Sequence, residues 1–282
     1  MQTVTKNFAD MGGTLNERFT SSHGEVAWGR MGGGSPVVLL HGTPFSSLVW
    51  RETAEALSAL HTVYLWDMPG YGLSEKHEGQ DVSLPAQQRV LTELLEHWGL
   101  EAPAVVAHDI GGAVALRAAL LGGVRYRRLA LVDVVALHPW GSPFYRLVQK
   151  HSEVLGALPP QMHEAAVGAY IDGGAHLSLR AELREALIRP WTGAEGQAAF
   201  YRQIAQADQG HTAEFEDRLG ELSVPVAVAW GAEDGWIPPE RGEALAARIP
   251  GADFHLLPGA GHLVQEDAPG RLTALLSAFL AD

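Results

Sequence analysis

The 282 residues carry 20 Lys plus Arg against 33 Asp plus Glu, a net −13 with histidine neutral, and no cysteine. The charge argues against nucleic acid or an anionic membrane surface as partner, and the missing thiols exclude disulfides, thiolate metal ligands and a cysteine nucleophile. With 46% apolar and 19% charged residues, the composition is globular, and the length suits one large domain or one domain carrying an insertion.

Met1 to Gly13 has one Lys and no apolar run, unlike a secretory signal. The apolar stretches elsewhere fall far short of the ~20 residues that span a bilayer. A cytoplasmic protein is expected. Gly32-Gly33-Gly34-Ser35-Pro36 turns into Val37-Val38-Leu39-Leu40, which stops at His41-Gly42; a short apolar run between turn residues reads as a buried strand. Ser46 to Leu60 reads as helix, Thr62 to Trp66 as strand, Asp67 to Ser74 as loop and Leu84 to Trp98 as amphipathic helix. Ala104 to Ala107 is a strand leading into a helix from Gly111 to Leu121, and Leu129 to Val135 is the next strand.

The alternation then breaks. Residues 138–217 contain helix-like sequence, five prolines and scattered aromatics, Trp140, Tyr145, Tyr170 and Trp191 among them. The rhythm resumes with a strand from Val224 to Trp230, a helix near Arg241 to Arg248, a strand from Asp253 to Leu257 and a helix from Pro269 to Leu280. Repeated strand–helix units predict a parallel sheet flanked by helices. The predicted organisation is a core of residues 1–137 and 218–282 with a helical cap, 138–217, inserted between two strands. In such sheets the ligand sits at the carboxyl ends of the strands.

Four strand ends carry chemistry. Ala107-His108-Asp109-Ile110-Gly111 has the strand–turn–helix frame of a nucleophile elbow, G-x-S-x-G, with Asp109 where serine is usual. Taken alone, Asp109 reads equally well as a helix N-cap. Asp234 follows the strand ending at Trp230, and His262 follows the one ending at Leu257. The chain order nucleophile, acid, base is that of an α/β-hydrolase triad. His41-Gly42-Thr43-Pro44 lies beside the elbow, so the backbone N–H groups of Thr43 and Ile110 are candidates for an oxyanion hole. Asp133, at the end of its own strand, is second choice to Asp234 as the acid.

On His41-Gly42-Thr43-Pro44, Asp67-Met68-Pro69-Gly70-Tyr71-Gly72-Leu73-Ser74, His108-Asp109-Ile110-Gly111-Gly112, Asp234 and Gly261-His262, the chain resembles the α/β-hydrolase superfamily, in its aspartate-nucleophile branch of epoxide hydrolases and dehalogenases. The resemblance covers nearly the whole chain. A carboxylate is ionised at neutral pH and attacks an sp³ carbon to give an ester. Ordinary ester or amide hydrolysis suits it less, because the anhydride it would form collapses back. The resemblance implies epoxide hydrolysis to a diol, with dehalogenation of a haloalkane or haloacid as the alternative. A cyclase or ligand-binding protein on the same fold is the third.

Epoxide hydrolases draw a proton donor from cap tyrosines, which implies Tyr145, Tyr170 and Tyr201 as candidates, Tyr201 within Phe200-Tyr201-Arg202. The loop Thr43 to Trp50 resembles that of haloalkane dehalogenases, and His138 and Trp140 are candidate halide donors. Ile110 replaces the Trp or Arg that follows the nucleophile in relatives. No cofactor and no metal is expected: the 13 histidines include no H-E-x-x-H, and the glycine clusters, Gly70-Tyr71-Gly72 included, lack a nucleotide frame and read as turns. The expected partner is a small-molecule substrate.

Overall fold

The computed structural model describes residues 15–281; Met1–Gly13, where no secretory signal is expected, lies outside them. Eight strands form one sheet: β1 (Glu17–Ser21), β2 (Gly24–Gly32), β3 (Ser35–Leu40), β4 (His61–Trp66), β5 (Ala104–His108), β6 (Arg128–Val132), β7 (Val226–Gly231) and β8 (Asp253–Leu257), in spatial order β1-β2-β4-β3-β5-β6-β7-β8. From β4 to β8 all neighbours run parallel, and β1 and β2 add an antiparallel edge. The central strands are apolar on both faces because helices cover both; β5 is buried at every residue.

The core helices are α1 (Arg51–Leu57), α2 (Leu84–His97), α3 (Ile110–Leu120), α9 (Pro239–Arg248), α10 (Val264–Asp267) and α11 (Pro269–Leu280). The chain steps from β3 outward to β4 through α1, then back across to β5 and on to β6 in the opposite direction. Right-handed crossovers in opposite directions put their helices on opposite faces. Accordingly α2 packs on α3, and α1 packs on α11. The reversal falls between β3 and β5, the kind of switch point at whose strand ends open α/β sheets bind ligands.

Five helices, α4 (Pro143–Gly156), α5 (Pro160–Asp172), α6 (Ala181–Ile188), α7 (Gly193–Ala205) and α8 (Gly210–Glu216), intervene between β6 and β7. They dock over the strand ends. Trp191 Nε1 donates to the Pro44 carbonyl at 2.7 Å. The Gln206 carboxamide accepts from Val82 N at 2.7 Å and donates to the Gln80 carbonyl at 2.9 Å. Among the described residues no helix is long and apolar enough to cross a membrane.

Three local features differ from the sequence-based expectation. The β1–β2 hairpin is absent from it, because β1 is a mostly exposed edge strand with no apolar run. The stretch predicted helical from Ser46 to Leu60 divides into a 3-10 turn, Ser47–Trp50, capped by the Ser46 hydroxyl, and the shorter α1. The strand predicted to Val135 stops at Val132, since Asp133 adopts φ 47° and turns the chain out of the sheet.

Candidate active site

Asp109 stands between β5 and α3 with φ 49° and ψ −124°. A non-glycine residue there carries strain of about 1–3 kcal/mol, tolerated only when the surroundings over-determine it. The surroundings are glycines. A Cβ on Gly42 would stand 2.4 Å from Asp109 Cβ, one on Gly111 2.5 Å from the His41 carbonyl oxygen, and one on Gly112 2.3 Å from Val134 Cγ1. The elbow can therefore press against the β3 loop and the β6 end only with hydrogens at all three positions.

That approach brings Thr43 N to 2.9 Å from Asp109 Oδ2, and the Ile110 N–H bonds the same carboxylate. Asp109 Oδ1 lies 3.9 Å from His262 Nε2. On its other side His262 Nδ1 meets Asp234 Oδ2 at 2.9 Å, and Asp234 Oδ1 accepts from Trp236 N at 2.8 Å and Ile237 N at 2.9 Å. Three N–H donors thus converge on Asp234 and orient it as an acceptor for the Nδ1–H tautomer of His262. His108 Nε2 bonds the His262 carbonyl oxygen at 2.9 Å. Burial, followed by the charge of His262, pushes His108 well below the ordinary histidine range, so it is a neutral donor that fixes the His262 backbone.

Burial dominates the electrostatics. It pushes Asp109 up to about 6 against the pull of His262 and the Thr43 and Ile110 N–H groups, which leaves about nine-tenths of it ionised at pH 7. Burial also opposes charge on His262, but Asp234 and Asp109 together outweigh it and hold the imidazole above its usual value. Two unit charges about 4 Å apart attract by on the order of 4 kcal/mol at an effective dielectric of 20, and desolvation offsets much of that.

Asp133 sits behind the Asp234–His262 pair. Its Oδ1 accepts from Gly231 N at 2.8 Å, and one of its oxygens lies within 4.8 Å of a ligating atom of both Asp234 and His262. Burial, then the neighbouring Asp234 charge, raises its carboxyl well above the usual range, which favours the protonated form of Asp133. Asp234, and not Asp133, contacts His262. The donor atoms of this trio are mostly engaged with one another and with backbone N–H groups. Asp133 Oδ2 and His262 Nε2 have no hydrogen-bond partner.

The aromatic candidates divide. Tyr145 is buried, its hydroxyl has no hydrogen-bond partner, and the Asp109 charge acts on it. Tyr170 is also within reach of that charge and stacks on Trp236 at 4.3 Å. Burial raises both phenols above their ordinary value. Tyr201 is turned away: its hydroxyl pairs with His163 Nδ1 at 3.1 Å. Trp140 packs beside Tyr145, but its Nε1 donates to Thr212 Oγ1 at 2.8 Å, and His138 is exposed. The structure brings neither Tyr201 nor the Trp140 N–H to Asp109, as local partners hold both.

Two residues outside the sequence-based candidates enter the site. Tyr71, read above as part of a turn, lies where the Asp109 charge acts on it, and its hydroxyl bonds Gln203 Oε1 at 2.8 Å. Gln203, on α7, also accepts from Thr43 Oγ1 at 2.7 Å. The only sequence signal for Gln203 is its position one helical step beyond Phe200-Tyr201-Arg202.

The elbow, the acid–histidine pair and the parallel sheet define an α/β-hydrolase site, and the model of the alpha/beta hydrolase family matches residues 37–275. The chain belongs to that family, and it is a hydrolase of that type. It is similar to an alpha/beta hydrolase fold protein of Burkholderia ambifaria, with a TM-score of 0.90 and 45% identity over 93% of this chain and 97% of that one. It is 27% identical to haloalkane dehalogenase 2 of Mycobacterium tuberculosis over 92% of each chain. A thermophilic esterase of Thermogutta terrifontis superposes with a TM-score of 0.77 at 27% identity, covering 94% and 97%.

A neutral Asp133 carries a stability consequence. In the unfolded chain it ionises near pH 4, while in the fold its protonated form is favoured, so its contribution is full at low pH and is lost as pH rises towards the raised folded value. Asp133→Asn keeps the Gly231 bond and cannot ionise. Its melting temperature is expected to equal that of the parent at pH 4 and to exceed it by a few degrees at pH 8. A constant offset across that range in thermal melts would contradict a neutral Asp133.

Proposed function

We propose that the protein hydrolyses a substrate at an electrophilic sp³ carbon through a covalent ester on Asp109, with epoxide opening to a diol as its reaction. The observation that carries this reading is a buried carboxylate at a strained elbow, bonded by the backbone N–H groups of Thr43 and Ile110, with its Oδ1 3.9 Å from an unpartnered imidazole nitrogen of His262. The oriented Oδ1 attacks carbon; the carbon–oxygen bond of the epoxide breaks, and its electron pair moves to the oxygen. Tyr145, with a free hydroxyl near Asp109, donates to that oxygen. A phenol suits the task because an alkoxide is far more basic.

The ester formed carries no charge. One of the influences that hold His262 upward then disappears, and the imidazole shifts towards its neutral, basic form. The 3.9 Å gap between His262 Nε2 and Asp109 Oδ1 suits an intervening water. His262 takes a proton from that water, and hydroxide adds to the carbonyl carbon of the ester. The oxyanion develops in the Thr43 and Ile110 N–H cradle. Collapse expels the diol oxygen, which takes the proton back from His262; the proton left on the Asp109 carboxyl restores the Tyr145 phenol, and Asp234 steadies the imidazolium throughout.

Dehalogenation through the same ester is the second reading, favoured by the likeness to haloalkane dehalogenase 2. Halide release against diol formation separates the two.

Replacement of His262 by Gln is expected to stop the second half-reaction, so the intact mass rises by that of the substrate fragment. In heavy-oxygen water the parent enzyme should build the label into the peptide containing Asp109. If neither adduct nor label forms with epoxides or haloalkanes, the reading fails. The single-turnover alkylation rate is expected to fall as pH drops through about 6, because protonation of Asp109 removes the nucleophile; a flat rate between pH 5 and 8 would exclude Asp109 from that role. Tyr145→Phe should slow epoxide opening by ~10²-fold while sparing bromide displacement. Tyr201→Phe, which loses only a bond to His163, should change either rate less than about threefold. Equal losses in the two variants would remove Tyr145 from the mechanism.

A further inference from the structure

Gln203 is 2% exposed and supplies one end of its carboxamide to two hydroxyls, Thr43 Oγ1 at 2.7 Å and Tyr71 Oη at 2.8 Å. Those lengths are typical of O–H···O bonds, N–H···O bonds being longer at ~2.9–3.0 Å, so the carboxamide oxygen is the shared acceptor. The other end, Nε2, is buried with no hydrogen-bond partner. Buried donors are rarely left unpaired, and the exceptions call for a functional account. The location provides one. Thr43 holds Asp109 Oδ2 through its backbone N–H, and Tyr71 lies within reach of the Asp109 charge, as does Tyr145. The orphan donor therefore belongs to the group of side chains gathered round the nucleophile.

We propose that Gln203 is a substrate-contacting residue whose Nε2–H group donates to the electronegative atom displaced by Asp109, an epoxide oxygen or a halogen. This rests on the ester mechanism above. The Oε1 bonds to Thr43 and Tyr71 hold the carboxamide plane, so the donor is oriented before substrate arrives and needs no reorganisation in the transition state. Position 110, directly after Asp109, is Ile and offers only its backbone N–H, already on Asp109. Gln203 supplies from α7 the side-chain N–H that the residue after the nucleophile lacks here. No step of the chemistry changes: the bond to the displaced atom breaks with its electron pair, and the carboxamide stabilises the charge that forms.

The test follows alkylation of Asp109 by rapid-quench mass measurement in the His262→Gln background, where the ester accumulates. A terminal epoxide and a primary bromoalkane of equal carbon number serve as the two substrates. Gln203→Glu retains acceptor oxygens for Thr43 and Tyr71 but has no N–H, whereas Gln203→Leu has neither. Alkylation of the substrate class that reacts should slow by ~10²-fold in both variants, with Glu restoring none of it. If Glu restores the parental rate, Gln203 is only a clamp for Thr43 and Tyr71, and the proposal is overturned while the ester mechanism stands. If His262→Gln alone gives no adduct with either substrate, the ester mechanism falls and this assignment falls with it.

Discussion

The site depends on the backbone of Asp109 being held at positive φ. That torsion points a carboxylate out of the β5–α3 turn, where an extended or helical residue would bury it in the helix start or the strand. The strain is local, and the restraint is distributed: hydrogens in place of side chains at Gly42, Gly111 and Gly112 let three chain segments close round the turn. The same closure delivers the Thr43 N–H to Asp109 Oδ2. Geometry of the Asp109 carboxylate and of the N–H groups that hold it is therefore one packing event.

The remaining groups are positioned by the sheet. Parallel strands end at one edge, so the residues after β3, β5, β7 and β8 meet although up to 219 positions separate Thr43 from His262. Asp234 is fixed by the N–H groups of its own loop and in turn fixes His262, while His108 ties the His262 backbone to β5. Burial then does what sequence cannot specify: it pushes Asp109 up to about 6 and favours the protonated form of Asp133 behind the pair.

These facts explain what was legible beforehand. The strand runs and the small residues flanking Asp109 are local, so the order of the parallel core and the meeting of Asp109, Asp234 and His262 can be read from the chain. β1 lacks the apolar run that marks a buried strand, and β2 buries only Val26–Gly29 between the exposed Glu25 and Arg30. The inserted helices resist reading for another reason. The segment Phe200-Tyr201-Arg202 singles out Tyr201 ahead of Tyr145, yet tertiary packing leaves the Tyr145 hydroxyl free while His163 takes that of Tyr201. Tyr71 reads as turn punctuation, and Gln203 as an ordinary helix residue, until the approach of α7 to the Thr43 loop brings them together.

The burial of Asp109 beside Asp234 and His262 has a further consequence under the proposed mechanism. Two carboxylates, Asp109 and Asp234, flank the single imidazole of His262 in surroundings where Asp109 is only 4% exposed. A molecule bringing its own carboxylate would add repulsion that little water is present to damp, and Ile110 offers no countercharge. Uncharged compounds meet no such barrier. On the proposed ester mechanism, haloacids are thus disfavoured relative to haloalkanes and epoxides before any bond to carbon is stretched.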